Sequence, residues 1–270
     1  PRQGMATSNN DKFIRLWYEI DQSNLGLEFG SKDQAHKSGK LWFPYNKGGS
    51  YRKWYGNQEY VIKFNSKYYK ILKSLGNHCP SEKYYFRESA SWSKVTSGNF
   101  CLRYFPPGFI FDVAGCSIFS NNITTLLSII GSMNSPVMKS TISAISPTLN
   151  YEVGQIASFP INIHVKNGLG HDIVKKIISL AKTDWDSFET SWNFSVLPLL
   201  MAENYPIPLT VSKSFHQISF KWQDMTNETQ HLEEDNNRLF IEAYGLRGEL
   251  SPEVPLDEIT LTCNPHYRYK

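Results

Sequence analysis

The chain has 270 residues, a net charge of only +3, 40% apolar residues and 14% aromatics. That apolar content fills the core of one large domain or two modest ones, which excludes a disordered or low-complexity chain. No run approaches the roughly 20 apolar residues of a membrane-crossing helix, and the near balance of charge does not by itself mark a nucleic-acid binder.

In chain order, Phe13 to Ile20 has the aromatic and β-branched content of a strand. Leu41 to Tyr45 and Tyr60 to Phe64 are short strands around a glycine-rich turn at Lys47, Gly48 and Gly49. Phe109 to Val113, between Pro106, Pro107, Gly108 and Gly115, has the pattern of a buried strand. Asn121 or Asn122 caps a helix expected to reach about Ile145, with Leu126, Leu127, Ile130 and Met133 on one face, and Pro136 is expected to kink or shorten it. Asp172 to Lys182 is a second helix, with Ile173, Ile177 and Leu180 at helical spacing. Asp186 followed by Glu189 resembles a capping box. From about Pro206 the pattern turns helical. Leu232 to Tyr244 places Leu232, Leu239, Phe240 and Tyr244 on one stripe that Gly245 ends, and Pro252 and Pro255 mark an extended tail. The sum is an α+β fold. Residues 1–195 form a domain with a mixed or antiparallel sheet and packed helices, and residues 196–270 form a mainly helical segment.

Charge is distributed unevenly along this order. Between Lys37 and Lys73 lie Lys40, Lys47, Arg52, Lys53, Lys63, Lys67 and Lys70, with Glu59 the only acid. From Lys182 to Glu258 acids such as Asp184, Asp186, Glu189, Glu233, Glu234, Asp235 and Glu242 prevail. A basic front and an acidic back suit a polyanion on one face and another partner on the other. The four cysteines, Cys79, Cys101, Cys116 and Cys263, form no Cys-x-x-Cys pair and have no His at zinc-like spacing. They read as reduced thiols of a cytoplasmic protein without a metal site. The chain opens on Pro and carries no signal-peptide pattern, as an excised piece of a longer cytoplasmic protein would.

Self-contained chemistry is absent from the pattern. Methylation of an exocyclic base amine requires a polar-Pro-Pro-aromatic loop around a flipped base and a glycine-rich turn for S-adenosylmethionine. Phe105-Pro106-Pro107-Gly108 lacks the polar residue and the aromatic, and Asn264-Pro265-His266 has one proline only. Gly168-Leu169-Gly170 lacks the rest of a nucleotide fingerprint, and no hydrolase or phosphate-loop motif occurs. No catalytic residue is assigned.

Binding chemistry is more visible. Leu41 to Asn57 interleaves Lys47, Arg52 and Lys53 with Tyr51, Trp54 and Tyr55. Cations neutralise phosphates, rings stack or wedge, and Gly48-Gly49 admits an anion close to the backbone. Asn46, Arg52 and Asn57 carry donors and acceptors suited to base edges. The same segment reads equally as a β-hairpin with aromatics inside and solvated lysines outside. Lys94, Ser97 and Arg103 flank a second polar loop suited to phosphate contacts, or to an ordinary turn.

These motifs are also familiar together. Gln3-Gly-Met-Ala-Thr-Ser-Asn-Asn-Asp-Lys-Phe13, Trp42-Phe-Pro-Tyr-Asn-Lys-Gly-Gly49, Arg52-Lys-Trp-Tyr-Gly-Asn57, Gly108-Phe-Ile-Phe-Asp-Val-Ala-Gly115, Ser146-Pro-Thr-Leu-Asn-Tyr-Glu-Val-Gly154, Asp184-Trp-Asp-Ser-Phe-Glu-Thr-Ser-Trp192 and Asn237-Arg-Leu-Phe-Ile-Glu-Ala-Tyr-Gly245 run through most of the chain. Together they resemble the C-terminal half of the adenine-specific methyltransferases of BREX (bacteriophage exclusion) defence systems, the phage-growth-limitation X family. Pro147 to Asn150 followed by Phe159-Pro-Ile161 resembles, more loosely, the recognition domains of type I restriction specificity subunits. Where the family has Thr-Gly, this chain has Thr7-Ser8.

The resemblance implies that residues 1–195 are a DNA target-recognition domain and that the methyltransferase domain, with its S-adenosylmethionine, precedes this region. The implied partners are double-stranded DNA, that missing domain and, on the acidic back, other phage-defence proteins. The implied DNA contacts are Asn46, Lys47, Arg52, Lys53, Trp54, Tyr55, Asn57, Lys94, Ser97 and Arg103. Two other classes stay open: a protein-interaction scaffold, and the nuclease half of a fused restriction enzyme.

Overall fold

A computed structural model describes residues 1–77, 79–96, 99–145, 149–200 and 210–269. Its strands are β1 (Ile14–Leu16), β2 (Trp42–Asn46), β3 (Tyr60–Lys63), β4 (Ser89–Ser93), β5 (Arg103–Phe105), β6 (Ile110–Phe111) and β7 (Gly115–Ile118). They form a four-stranded sheet ordered β1-β3-β2-β6 and a three-stranded sheet ordered β5-β4-β7. Only β2 and β6 pair in parallel; the remaining pairs are antiparallel. The fold is the expected α+β type.

Alternation along the strands builds two sides of the larger sheet. Phe43 and Tyr45 of β2 and Ile62 of β3 join Phe13, Phe64 and Phe111 in one core. Trp42 and Val61 point to the opposite face and pack with Leu25. Two strands are shorter than expected because side chains compete for the backbone. Upstream of β1, Asn9 Oδ1 accepts from Lys12 N at 3.0 Å and opens a helical turn, α1 (Asn10–Phe13). Downstream, Glu19 accepts from Leu16 N at 2.8 Å and bends Trp17–Glu19 into a 3-10 turn. After β6, Asp112 Oδ1 accepts from Ala114 N at 2.8 Å and turns the chain away.

The remaining helices are α2 (Lys32–Lys37), α3 (Ser66–Leu72), α4 (Ile123–Met133), α5 (Pro136–Ile145), α6 (Val153–Ala157), α7 (Ile163–Lys166), α8 (His171–Asp186), α9 (Val211–Ala243) and α10 (Pro265–Arg268). Asn122 caps α4 by accepting from Thr124 N at 2.9 Å, and the helix is shortened, ending at Met133, with Pro136 opening α5. The helix expected to stop near Lys182 continues to Asp186. Asp186 therefore ends a helix and opens no capping box: it pairs with Lys182 one turn back and accepts from Ser191 Oγ at 2.6 Å. The stripe from Leu232 to Tyr244 is the last part of α9, and Gly245 follows it at φ +71°, in the left-handed region that favours glycine. The expected start near Pro206 lies outside the described residues.

The largest core lies between the smaller sheet and the helices. Ala90, Trp92 and Cys116 of the sheet meet Leu126 and Ile130 of α4, Ile177 of α8 and Phe240 of α9. At Gly131 a Cβ would stand 2.6 Å from Asn236 Oδ1 and 2.7 Å from Val174 Cγ2, so α4, α8 and α9 meet where one of them has no side chain. The proline-marked tail runs back along this core and buries Val254, Ile259 and Leu261. One core thus takes residues from both sides of position 195.

Candidate functional site

The segment with the strongest binding signature runs through the interior. Asn46 is 1% exposed. Its Nδ2 donates to Ser91 Oγ at 2.6 Å and Gly115 O at 3.3 Å, and its Oδ1 accepts from Gly48 N at 3.1 Å, so its amide joins the two sheets. Lys47, half-buried, pairs at 3.0 Å with Asp112, whose carboxylate also accepts from Tyr45 Oη at 2.7 Å. Arg52 donates to Thr262 Oγ1 at 2.6 Å and lies 3.4 Å from Asp184, with its guanidinium over the rings of Trp185 and Tyr267. Lys53 forms a buried ion pair with Glu233 of α9, and Trp54 Nε1 donates to the other Glu233 oxygen at 2.7 Å. Burial pushes the Glu233 carboxyl up, against the opposing pull of Lys53. Trp54 and Tyr55 sit in the main core. Asn57, half-buried, donates to Ser50 O at 2.9 Å.

The second expected loop behaves similarly. Lys94 pairs with Glu152 at 3.0 Å. Arg103 is fully buried without a carboxylate partner among the described residues. It donates to Ser93 Oγ at 2.9 Å and Arg52 O at 3.2 Å, its Nε is unpaired, and burial pulls its guanidinium pKa down. Ser97 lies outside the described residues.

Asn46, Arg52, Lys53, Trp54, Tyr55 and Arg103, expected from the sequence to contact DNA, are all buried in this fold. The cations among them direct donors to internal partners: Arg52 to Thr262 and Asp184, Lys53 to Glu233, and Arg103 to Ser93 and the Arg52 carbonyl. Their arrangement is a clamp, in which residues 50–57 are gripped by Arg103 beneath, by Glu233 of α9 above, and by Thr260 and Thr262 of the tail. The sequence could not show this, because the partners lie as far as 210 residues away.

Free positive charge lies on other lysines of the basic window and on Lys12 ahead of it. Lys12, Lys37, Lys67 and Lys70 are exposed, and Lys63 is half-buried. Among the described residues none of these five forms an ion pair, whereas Lys32 and Lys73 are both spent on Glu82. Aromatic rings underlie several of them. Lys63 Nζ stands 5.0 Å from the centroid of Trp42, its cross-strand neighbour, and 5.2 Å from that of Tyr68; Lys67 Nζ lies 5.8 Å from the same Tyr68 ring. Lys67 and Lys70 are three apart on α3, which places them on neighbouring parts of one helix face. That i,i+3 spacing, together with the absence of nearby acids, was the legible signal for this surface.

Among the described residues no cluster of three or more His, Cys, Asp or Glu is arranged to hold a metal ion, and no helix is long and apolar enough to cross a membrane. No family model matches the chain. The chain is 38% identical over 262 residues, 93% of its length, to the adenine-specific methyltransferase PglX of Lacticaseibacillus casei (strain Zhang). It is 32% identical over 270 residues, 99% of its length, to the adenine-specific methyltransferase BrxX of Escherichia coli O9:H4 (strain HS). In each case the match covers 21% of the relative, so the chain spans about a fifth of the proteins it resembles. Matching over nearly all of its own length, the chain belongs, as a segment, to the family of the PglX and BrxX adenine-specific methyltransferases.

Proposed function

We propose that this chain is the DNA target-recognition part of an adenine-specific DNA methyltransferase of a BREX-type phage-defence system, acting in the cytoplasm. Duplex DNA is held here while a catalytic domain outside this chain binds S-adenosylmethionine and methylates the exocyclic amine of a flipped adenine. One observation carries this reading. The chain aligns from end to end with adenine-specific methyltransferases, yet its sequence contains neither the polar-Pro-Pro-aromatic loop nor the glycine-rich turn that methyl transfer needs. Its share of the work is then substrate handling. The unpaired lysines of α1, β3 and α3 supply the charge that a phosphate backbone meets, and the clamp around residues 50–57 fixes the sheet that presents them.

The test is electrostatic. The triple variant Lys63→Glu, Lys67→Glu, Lys70→Glu should bind duplex DNA at least about tenfold more weakly. Its log–log salt slope should be shallower by about 0.9 for each phosphate that the protein no longer neutralises. In cells carrying the full-length parent, the same variant should lower methylation at every modified site. Wild-type methylation by that variant would overturn the reading.

A further inference from the structure

A cavity of about 520 Å³ opens between the larger sheet, the turn before β6 and the loop after α8. Three rings wall it, Tyr55, Phe109 and Trp192, with Phe109 and Trp192 tilted together at a centroid distance of 5.7 Å. Leu27, Pro44, Pro106 and Pro107 complete its apolar surface. Its polar lining is Glu28, the amides of Gln58 and Asn193, and Lys182, which is paired with Asp186 and stands 5.8 Å from the Tyr55 ring centroid. The side chain of Asn193 is exposed and makes no hydrogen bond of its own among the described residues. Apolar walls with a few convergent polar groups are the composition of a ligand site.

The backbone around this cavity is unusual. Glu28, Trp54, Asn57 and Gly108 have φ of +63°, +71°, +55° and +109°. Glu28 itself lines the cavity, and the other three immediately precede the lining residues Tyr55, Gln58 and Phe109. Left-handed backbone is uncommon for Trp and Glu, and such conformations gather where a chain is bent to aim a side chain. At Gly108 a Cβ would stand 3.2 Å from Glu28 N, so the walls approach where one lacks a side chain. The cavity also adjoins the lysine surface. Pro44 and Trp42 are alternate residues of β2 on one sheet face, and Trp42 is paired with Lys63.

We infer that this cavity receives an unpaired nucleobase, that is, a base of bound DNA that has left the helical stack. This rests on the DNA-recognition reading above. The base stacks on the half-exposed Trp192, and the Asn193 and Gln58 amides meet its edge with donor and acceptor. A proline-rich peptide suits the ring and proline walls less well, because its backbone offers carbonyl acceptors and no donor for the Asn193 amide oxygen.

The experiment compares two duplexes of one sequence, one fully paired and one with a single unpaired 2-aminopurine, by anisotropy and by 2-aminopurine emission. The bulged duplex should bind about five- to a hundredfold more tightly, with its emission quenched on binding. Trp192→Ala should abolish preference and quenching while leaving paired-duplex affinity unchanged, and Trp192→Phe should retain most of both. Thermal melting of both variants reports folding independently. Equal affinity for the two duplexes without quenching overturns this inference and leaves the DNA reading standing. Failure to bind either duplex overturns the DNA reading, and this inference with it. An oligoproline peptide that binds more tightly than the bulged duplex, and whose binding disappears in Trp192→Ala, overturns the base assignment alone.

Discussion

At the scale of single residues, two positions show how local chemistry and distant partners divide the outcome. Ser8 stands where the resembled family has glycine, and its φ is +58°. A side chain there strains the left-handed backbone, which costs an L-residue about 1–2 kcal/mol. Ser8→Gly relieves that strain and gives back part of the gain as unfolded-state entropy. A net stabilisation of about 0.5–1 kcal/mol is expected, read as a raised denaturation midpoint at constant slope. Lys53 presents the opposite case, a surface-type residue held inside by Glu233. Lys53→Met leaves that carboxylate buried without its counter-charge and should cost about 3–5 kcal/mol. Because burial raises the Glu233 pKa in the folded state, the folded protein holds this proton more tightly than the unfolded chain. Its contribution therefore falls as pH rises through and above the carboxylate range, and the variant should be weakest at neutral and alkaline pH. The double variant Lys53→Met, Glu233→Gln should recover most of the stability in a denaturant titration.

Among the elements, α2 and α3 illustrate how charge ties short pieces together. Neither helix is long enough to be stable alone. Glu82 accepts from Tyr69 of α3 at 2.8 Å, lies 2.9 Å from Lys73 just past that helix, and pairs with Lys32 of α2. Burial alone would raise its carboxyl, but the hydrogen bonds from Lys32, Lys73 and Tyr69 outweigh it and hold the group near pKa 2, against 4.5 for an ordinary glutamate. A depressed folded value means the contribution is fully present above about 4.5 and is lost as pH falls towards 2. Glu82→Gln should remove that part of the acid sensitivity, seen as a shallower fall in melting temperature over this window. Much of the element order was legible from caps and breakers: Asn122 before α4, Pro136 at the start of α5 and Gly245 after α9 all act as their residue types predict. Lengths were less legible, because Asn9, Glu19 and Asp112 spend their side chains on backbone groups that a longer β1 or β6 would have needed.

For the molecule as a whole, the consequential feature is a core that crosses position 195. Phe240 and Ile241 of α9 and Ile259 and Leu261 of the tail pack with Trp54, Trp92 and Ile130. Removing residues 196–270 would uncover that core and leave Lys53, Arg52 and Trp54 without Glu233, Thr262 and Thr260. A chain ending at residue 195 should therefore lose near-ultraviolet dichroism and become sensitive to limited proteolysis, while the full 270-residue chain unfolds in one transition. A 1–195 fragment as well protected as the same residues in the full chain would refute this.

What the sequence by itself determined was the class of fold, the main element order and the basic window between Lys37 and Lys73, which follow from periodicity, capping and composition acting over a few residues; the family resemblance rested on its motifs. The tertiary structure alone decided which cations of that window are spent. Among the described residues, Lys47, Arg52 and Lys53 form ion pairs with internal carboxylates, whereas Lys63, Lys67 and Lys70 do not. The physical reason is range: whether a lysine is free depends on a carboxylate such as Glu233, which is 180 residues away along the chain and in contact only after folding.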